Sequence, residues 1–410
     1  MSDDGEITFD FKTVPTIRFA NGAALELAEQ LIALKVKKPL IVSDAGIIKS
    51  GVLAPALEAL TIASFSAKIY SDVVADPPES NVLNALEYAL SMGCDGVIGF
   101  GGGSSMDVAK LVAVLMSQEQ SLQEIYGVDQ VHSSRVPFRV PLIQIPTTAG
   151  TGSEATGVAI VTTGESSKAG VVSDRLLADV IILDPQLTLG LPAHITAATG
   201  IDAMVHAVEA FTSKRLKNPI SDMLALKALA LMSGSIQTAV KEGSNSEARS
   251  NMLLGAMLAG QAFANAPVGA VHALAYPLGG TFHIPHGLSN SLVLPHVLRF
   301  NGVGNAMVKN SSINDLYTQI LTAIGFSERS LTFSADDTDG FNSNASETLA
   351  DYFLNLAIDL GLPSRLQALK ITMSDLPKLA QEAMLQQRLL INNPREVSYD
   401  DALQIYQNAF

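Results

Sequence analysis

The sequence predicts an α/β protein in two parts, a doubly wound parallel sheet over residues 1–187 and an all-helical region over residues 188–410. Three observations carry that expectation. Short apolar strand signals alternate with helical ones through the first half, the rhythm of successive βαβ units. A strand runs straight into glycines that open a helix, between Gly96 and Lys110. Beyond Asp184-Pro185 nearly every apolar segment has helical period and length.

Taken in order, Ile7 to Phe19 reads as extended chain with a proline break, and Ala23 to Leu34 as a helix. Lys38 to Asp44 is a short apolar strand ending on a polar residue, followed by a helix from Ala45 to Leu60 that Gly51 interrupts. Ala67 to Tyr70 is the next strand and Asn81 to Met92 the next helix. Gly96 to Phe100 is a strand, and Met106 to Ser117 the helix behind its glycines. Val140 to Pro146, Gly157 to Thr163 and Asp179 to Asp184 complete the strands. In the second half Pro192, Pro219, Pro267, Pro285, Pro363 and Pro394 fall at helix edges. Glu328 to Glu347, rich in Ser, Thr, Asp and Asn, reads as a surface loop.

Composition bounds the function. A chain of 410 residues holds two or three domains. With 48% hydrophobic and 16% charged residues it buries a large core under modest surface charge. A net charge of −14 excludes nucleic acid and anionic membrane surfaces as partners, since both demand basic surface. Cys94 is the only cysteine, which rules out an internal disulfide and suits a reducing compartment. Met1-Ser2-Asp3-Asp4-Gly5 has no apolar signal core, and no apolar run reaches the length of a membrane span. The expected location is the cytoplasm.

The most informative stretch runs from Gly200 to Gly287. Asp202 and His206 stand four apart in an Ala/Val/Met-rich helical pattern, so they project from one face a turn apart. His272 lies in a second apolar helical run, and His286 follows a proline in a loop ending at Gly287. One aspartate with three histidines suits Fe(II) or Zn(II). Spacing alone leaves open the alternative that each is a polar residue satisfied in the core or a loop.

Two loops in the first half are equally distinctive. Gly101-Gly102-Gly103-Ser104-Ser105-Met106-Asp107 follows a strand and opens a helix, where backbone N–H groups approach a phosphate closely. Ser104 and Ser105 either cap that helix or donate to phosphate oxygens. No Gly-Lys-Ser/Thr closes the turn, which excludes a P-loop. Pro146-Thr147-Thr148-Ala149-Gly150-Thr151-Gly152-Ser153-Glu154 leaves the end of a buried strand, where open α/β sheets bind ligands. Its hydroxyls either line a cofactor site or form a polar turn. Asp44 either accepts ribose hydroxyls and repels a 2′-phosphate, or caps the helix starting at Ala45. Lys168 and Asp174 read as surface charges.

Together these segments resemble the iron-containing (group III) alcohol dehydrogenase family. The resemblance rests on the Gly101–Lys110 turn, the Pro146–Glu154 loop, the series Asp202, His206, His272, His286, and Asn393-Pro394-Arg395-Glu396 near the C-terminus. It implies a dehydroquinate-synthase-like fold and NAD(P)-linked interconversion of an alcohol with an aldehyde or ketone. Asp202, His206, His272 and His286 would hold Fe(II), or Zn(II). Gly101, Gly102, Gly103, Ser104, Ser105, Asp107, Thr147, Thr148, Thr151, Ser153 and Lys168 would contact the cofactor, with Asp44 favouring NAD over NADP. It also implies a homodimer or larger assembly.

Two departures bear on the substrate. Tyr276 stands where many members carry a further histidine, which is similar to the family's hydroxyacid–oxoacid transhydrogenases and hydroxybutyrate dehydrogenases. Tyr276 and His283 are thus the candidates for passing a proton outward, with packing and surface roles as the alternatives. Asp76-Pro77-Pro78 replaces an Asn-Pro pair. A non-redox metal- and NAD-using lyase on the same fold would need a basic cluster, and Lys214, Arg215, Lys217, Lys227, Lys241 and Arg249 all lie away from the candidate ligands in sequence.

Overall fold

Short runs rich in Val, Ile and Leu, most of them bounded by Gly, Pro or Asp, form the strands β1 (Thr16–Phe19), β2 (Pro39–Asp44), β3 (Lys68–Val73), β4 (Gly96–Gly101), β5 (Gly127–Val128), β6 (Leu142–Pro146), β7 (Val158–Thr163), β8 (Ser167–Val172) and β9 (Val180–Leu183). The computed structural model describes residues 8–117, 119–132, 138–164, 167–304, 306–327 and 344–410. They group into two compact units, one of Thr13–Gly200 with Ser235–Gly260, the other of Ile201–Gly234 with Gln261–Phe410 and residues 8–12.

In the first unit six strands pair in the order β1-β9-β6-β4-β2-β3, all parallel. Leu40 stands opposite Val97 and Ile98 opposite Ile143. The inner strands β4, β6 and β9 are buried along their length, as a sheet covered on both faces requires. Ile41, Ile98, Phe100, Ile143 and Ile182 pack with Leu27, Leu31 and Leu53 into one core cluster. The helix break expected at Gly51 is present: Ala45–Ser50 ends there with φ 76°, and a new helix spans Ala54–Ile62. The chain lays β3 on one side of β2, returns to place β4 on the other side, and continues that way through β6 and β9. The carboxyl ends of β2 and β4, at Asp44 and Gly101, therefore flank the reversal in strand order, the position where such sheets bind ligands.

One strand departs from the expected parallel sheet. β7 pairs antiparallel with β8, and β5 joins the other side of β8, so these three form a separate small sheet. β8 escaped the sequence reading because Lys168-Ala169-Gly170 gives it no apolar alternation.

The second unit is helical, apart from a two-residue ribbon of Met307–Val308 with Ser311–Ser312. The helix Ala193–Thr212 enters it at Ile201, and Pro219–Ser233, Ala270–Phe282, His286–Gly302, Ile313–Ala323, Asn344–Asp359, Leu376–Met384 and Tyr399–Ala409 follow. Of the loop expected over Glu328 to Glu347, residues 328–343 lie outside the described residues, and the remainder begins the helix Asn344–Asp359. Among the described residues no single helix is long and apolar enough to cross a membrane.

Candidate nucleotide and metal sites

The glycine turn joins β4 to the helix Gly103–Leu115. Gly102 is the N-cap, and no side chain caps the helix, so neither Ser104 nor Ser105 does so; both sit inside its first turn. The helix thus presents its N-terminal N–H groups and partial positive charge without a competing side chain. Geometry excludes side chains at Gly101 and Gly103. A Cβ at Gly103 would come within 2.8 Å of Thr151, and Gly101 has φ 154° with Ser105 Oγ 2.8 Å from where a Cβ would stand. Asp44 is the N-cap of the helix Ala45–Ser50. Its Oδ1 accepts the Ile47 N–H at 3.0 Å, while Oδ2 lies beside Gly101.

The second loop is tied to the first. Thr147 N–H donates to the Gly101 carbonyl at 3.0 Å. Asp107 accepts from Ser153 Oγ at 2.6 Å and from Ile160 N–H at 2.9 Å, so both residues expected at a cofactor are engaged with protein partners. Thr151 Oγ1 accepts the Ser153 N–H at 3.2 Å. Thr147 Oγ1 is buried with no hydrogen-bond partner among the described residues. Gly152, with φ 60°, lets this loop press on Gly260, whose Cα lies 2.6 Å from where a Cβ would be. Burial pushes the neighbouring Glu154 carboxyl up to about 7, against the pull of its own backbone amide and of Lys110. Lys168 Nζ pairs with Asp76 Oδ1 at 2.5 Å and donates to Thr162 Oγ1 at 3.0 Å, so it braces the Asp76-Pro77-Pro78 turn against β7.

In the helical unit Asp202, His206, His272 and His286 come together, each with one donor atom within 4.8 Å of the others. Asp202, His206 and His272 are buried, and the His286 side chain is 41% exposed, leaving the group one open side. Burial pushes the Asp202 carboxyl up, but the three imidazoles and the Asn290 amide outweigh it and hold it below the ordinary value. The rings stack: His206 lies 4.4 Å from Phe263 and 4.7 Å from His272. Convergent carboxylate and imidazole lone pairs in this number fit a divalent first-row metal. Tyr276 stands beside the group, its ring 5.8 Å from that of His286. His283 is exposed at the C-cap of the helix Ala270–Phe282 and takes no part in it.

Two residues absent from the sequence reading complete the arrangement. Glu209 contacts His272 Nδ1 through Oε2 at 2.5 Å and accepts the Val271 N–H through Oε1 at 2.7 Å. A proton held at Nδ1 turns the Nε2 lone pair toward the other donors. Asn290 Nδ2 lies 2.6 Å from Asp202 Oδ1 and 3.3 Å from Nε2 of both His272 and His286. The signal for Glu209 was present: positions 202, 206 and 209 share one helix face.

Comparison with known proteins agrees with this geometry. Residues 15–185 match the family described as iron-containing alcohol dehydrogenase, and residues 196–410 match the C-terminal part of the Fe-containing alcohol dehydrogenase family. The chain is 38% identical to long-chain-alcohol dehydrogenase 1 of Geobacillus thermodenitrificans, over 95% of this chain and 93% of that protein. The solved structure of a 1,3-propanediol oxidoreductase superposes with a TM-score of 0.89 at 33% identity, covering 98% of this chain and 100% of that one. A sulfoacetaldehyde reductase from Bifidobacterium kashiwanohense, solved in complex with NAD+, gives 0.84 at 29% identity, covering 98% of this chain and 99% of that one. On sequence, fold and the convergence of Asp202 with three histidines, the chain belongs to the iron-containing alcohol dehydrogenase family.

Proposed function

We propose that the protein interconverts a primary or secondary alcohol with its aldehyde or ketone, passing hydride to and from NAD, with Fe(II) or Zn(II) held by Asp202, His206, His272 and His286. Family membership makes the chain an oxidoreductase of the alcohol dehydrogenase type. The observation that carries the finer reading is the convergence of the four donor atoms in the helical unit. When bound, the metal supplies Lewis acidity toward the substrate oxygen. The protein's part is to aim the donors. Asp202 contributes the one formal negative charge, and Glu209 orients His272. Tyr276 is assigned the exchange of the hydroxyl proton at its Oη, supported by its ring lying beside that of His286.

In the sheet unit, the turn Gly101-Gly102-Gly103 with Ser104 and Ser105 is assigned the pyrophosphate, supported by its uncapped helix N-terminus. Asp44 is assigned the ribose through the oxygen not used in capping, which favours NAD over NADP. Thr147 and Thr148 are assigned to the cofactor, supported for Thr147 by its unpartnered hydroxyl. Thr151, Ser153 and Asp107 hold that loop in shape, and Lys168 braces the Asp76-Pro77-Pro78 turn against β7. Dinucleotide binding is thereby assigned to residues 1–187 and the metal to residues 188–410. Cytoplasmic residence, supported by the single buried cysteine, and assembly as a homodimer or larger belong to the same proposal.

The test is elemental analysis of protein prepared without chelator, alongside NADH formation from short alcohols, diols and hydroxy acids. Stoichiometric iron or zinc and NAD reduction that chelation removes are expected, and His272→Ala should lose both. Metal without NAD reduction would favour a transhydrogenase that retains its nicotinamide. Absence of metal would overturn the assignment of the four ligands.

A further inference from the structure

A small cavity in the helical unit, about 10 Å³ at the scale of a water's centre, is lined by Val208, Glu209, Val271, Asn301, Tyr317 and Asn393 among others. That is room for one water and no larger ligand. Tyr317 is fully buried, and its hydroxyl meets no protein partner at good hydrogen-bond geometry among the described residues, the Asn301 amide being the polar group that approaches it. The nearby amides bond chiefly to one another and to the backbone. Asn393 Nδ2 donates to Asn301 Oδ1 at 2.8 Å, Asn301 Nδ2 returns a bond at 3.2 Å, and Asn393 Nδ2 also reaches the Arg395 carbonyl at 2.6 Å. Each Glu209 oxygen has one partner, Val271 N–H or His272, and a carboxylate oxygen can accept a second.

We propose that a single buried water in this cavity accepts from Tyr317 Oη and donates to the Glu209 carboxylate, making Tyr317 a positioning residue for His272. Burial raises the phenol well above its ordinary value, the Glu209 charge adds to that, and Asn301 opposes it only in part, so the O–H stays a donor. A water on Glu209 leaves both existing contacts intact and holds the carboxylate in the orientation that keeps the proton at His272 Nδ1. It also gives the Asn393-Pro394-Arg395 segment a purpose. Arg395 anchors the segment by donating to the Phe300 carbonyl at 2.8 Å and stacking 3.9 Å above the Phe300 ring, and Asn393 then closes one wall of the cavity.

The first test is a high-resolution crystal structure of the wild-type protein. Density for a water at hydrogen-bond distance from both Tyr317 Oη and Glu209 is expected; a dry cavity, or a Tyr317 hydroxyl bonded directly to protein, would overturn the proposal. The second is Co(II) titration of metal-stripped protein, read by visible absorption. Glu209→Gln should weaken Co(II) by the roughly 10–100-fold typical of an outer partner of a histidine ligand. Tyr317→Phe should weaken it by less and shift the Co(II) spectrum. Combined with Glu209→Gln it should add nothing, whereas independent, additive losses would refute the link. This second arm rests on the proposed metal site: wild-type protein that binds no Co(II) would count against that site, while the crystallographic arm decides the water.

Discussion

Lys110 Nζ lies 2.8 Å from Ser153 Oγ, joining the helix behind the glycine turn to the loop that follows β6. The same ammonium donates to Thr156 Oγ1 at 3.2 Å and to the Val158 carbonyl at 2.6 Å, and Asp107 Oδ1 stands 3.4 Å away. Burial lowers its pKa, and Asp107 and Glu154 resist that fall. A fully buried cation with this many partners acts as a clasp between the two loops at the carboxyl ends of β4 and β6.

Lys110→Met should open the clasp. Removing one partner from a buried charged cluster costs about 3–5 kcal/mol. A lower urea midpoint and a weaker NADH affinity, read by NADH fluorescence, are both expected. A variant that loses stability but keeps its NADH affinity would show that the clasp does not shape the nucleotide site.

Asp44 combines a cap and a cofactor role, and the two can be separated. Serine caps about as well as aspartate, so Asp44→Ser should leave stability within about 0.5 kcal/mol of wild type. Losing the carboxylate should lower the preference for NAD over NADP by roughly tenfold, about 1.4 kcal/mol. Unchanged discrimination, measured as the ratio of kcat/KM values for the two cofactors, would confine Asp44 to capping.

His296 sets an acid limit. Burial first, then the charges of Arg299 and Arg365, push its imidazole down to about 4. The folded chain keeps the ring neutral where the unfolded chain, titrating near 6.5, takes up a proton. Stability from this residue is therefore intact above pH 6.5 and falls as pH drops toward 4, by up to about 1.4 kcal/mol per unit. His296→Gln should flatten the fall in urea midpoint between pH 7 and 4.5, and an equal fall in both proteins would rule the residue out.

Legibility in the sequence followed chemistry more than shape. The strand, glycines and helix from Gly96 to Leu115 were readable because period and composition change together there. Asp202 and His206 stood out because a carboxylate and an imidazole are rare in an apolar helix. Glu209 was missed because an acidic residue in a helix ordinarily signals a solvated face, although it shares a face with Asp202 and His206, and its contact with His272 shows its role. Asn290 carries no charge and no metal preference, so nothing marked it before Asp202 and two histidines were found around its amide. β8 was lost because Lys168-Ala169-Gly170 carries no apolar alternation, although its backbone pairs with β7 along its whole length.

Every group at the candidate metal site is mounted on a helix: Asp202, His206 and Glu209 on one, His272 on the second, His286 and Asn290 on the third. Helices fix side chains more rigidly than loops do. Such a centre is insulated from drift. A change of length or composition in a surrounding loop would alter what is admitted without moving the donor atoms.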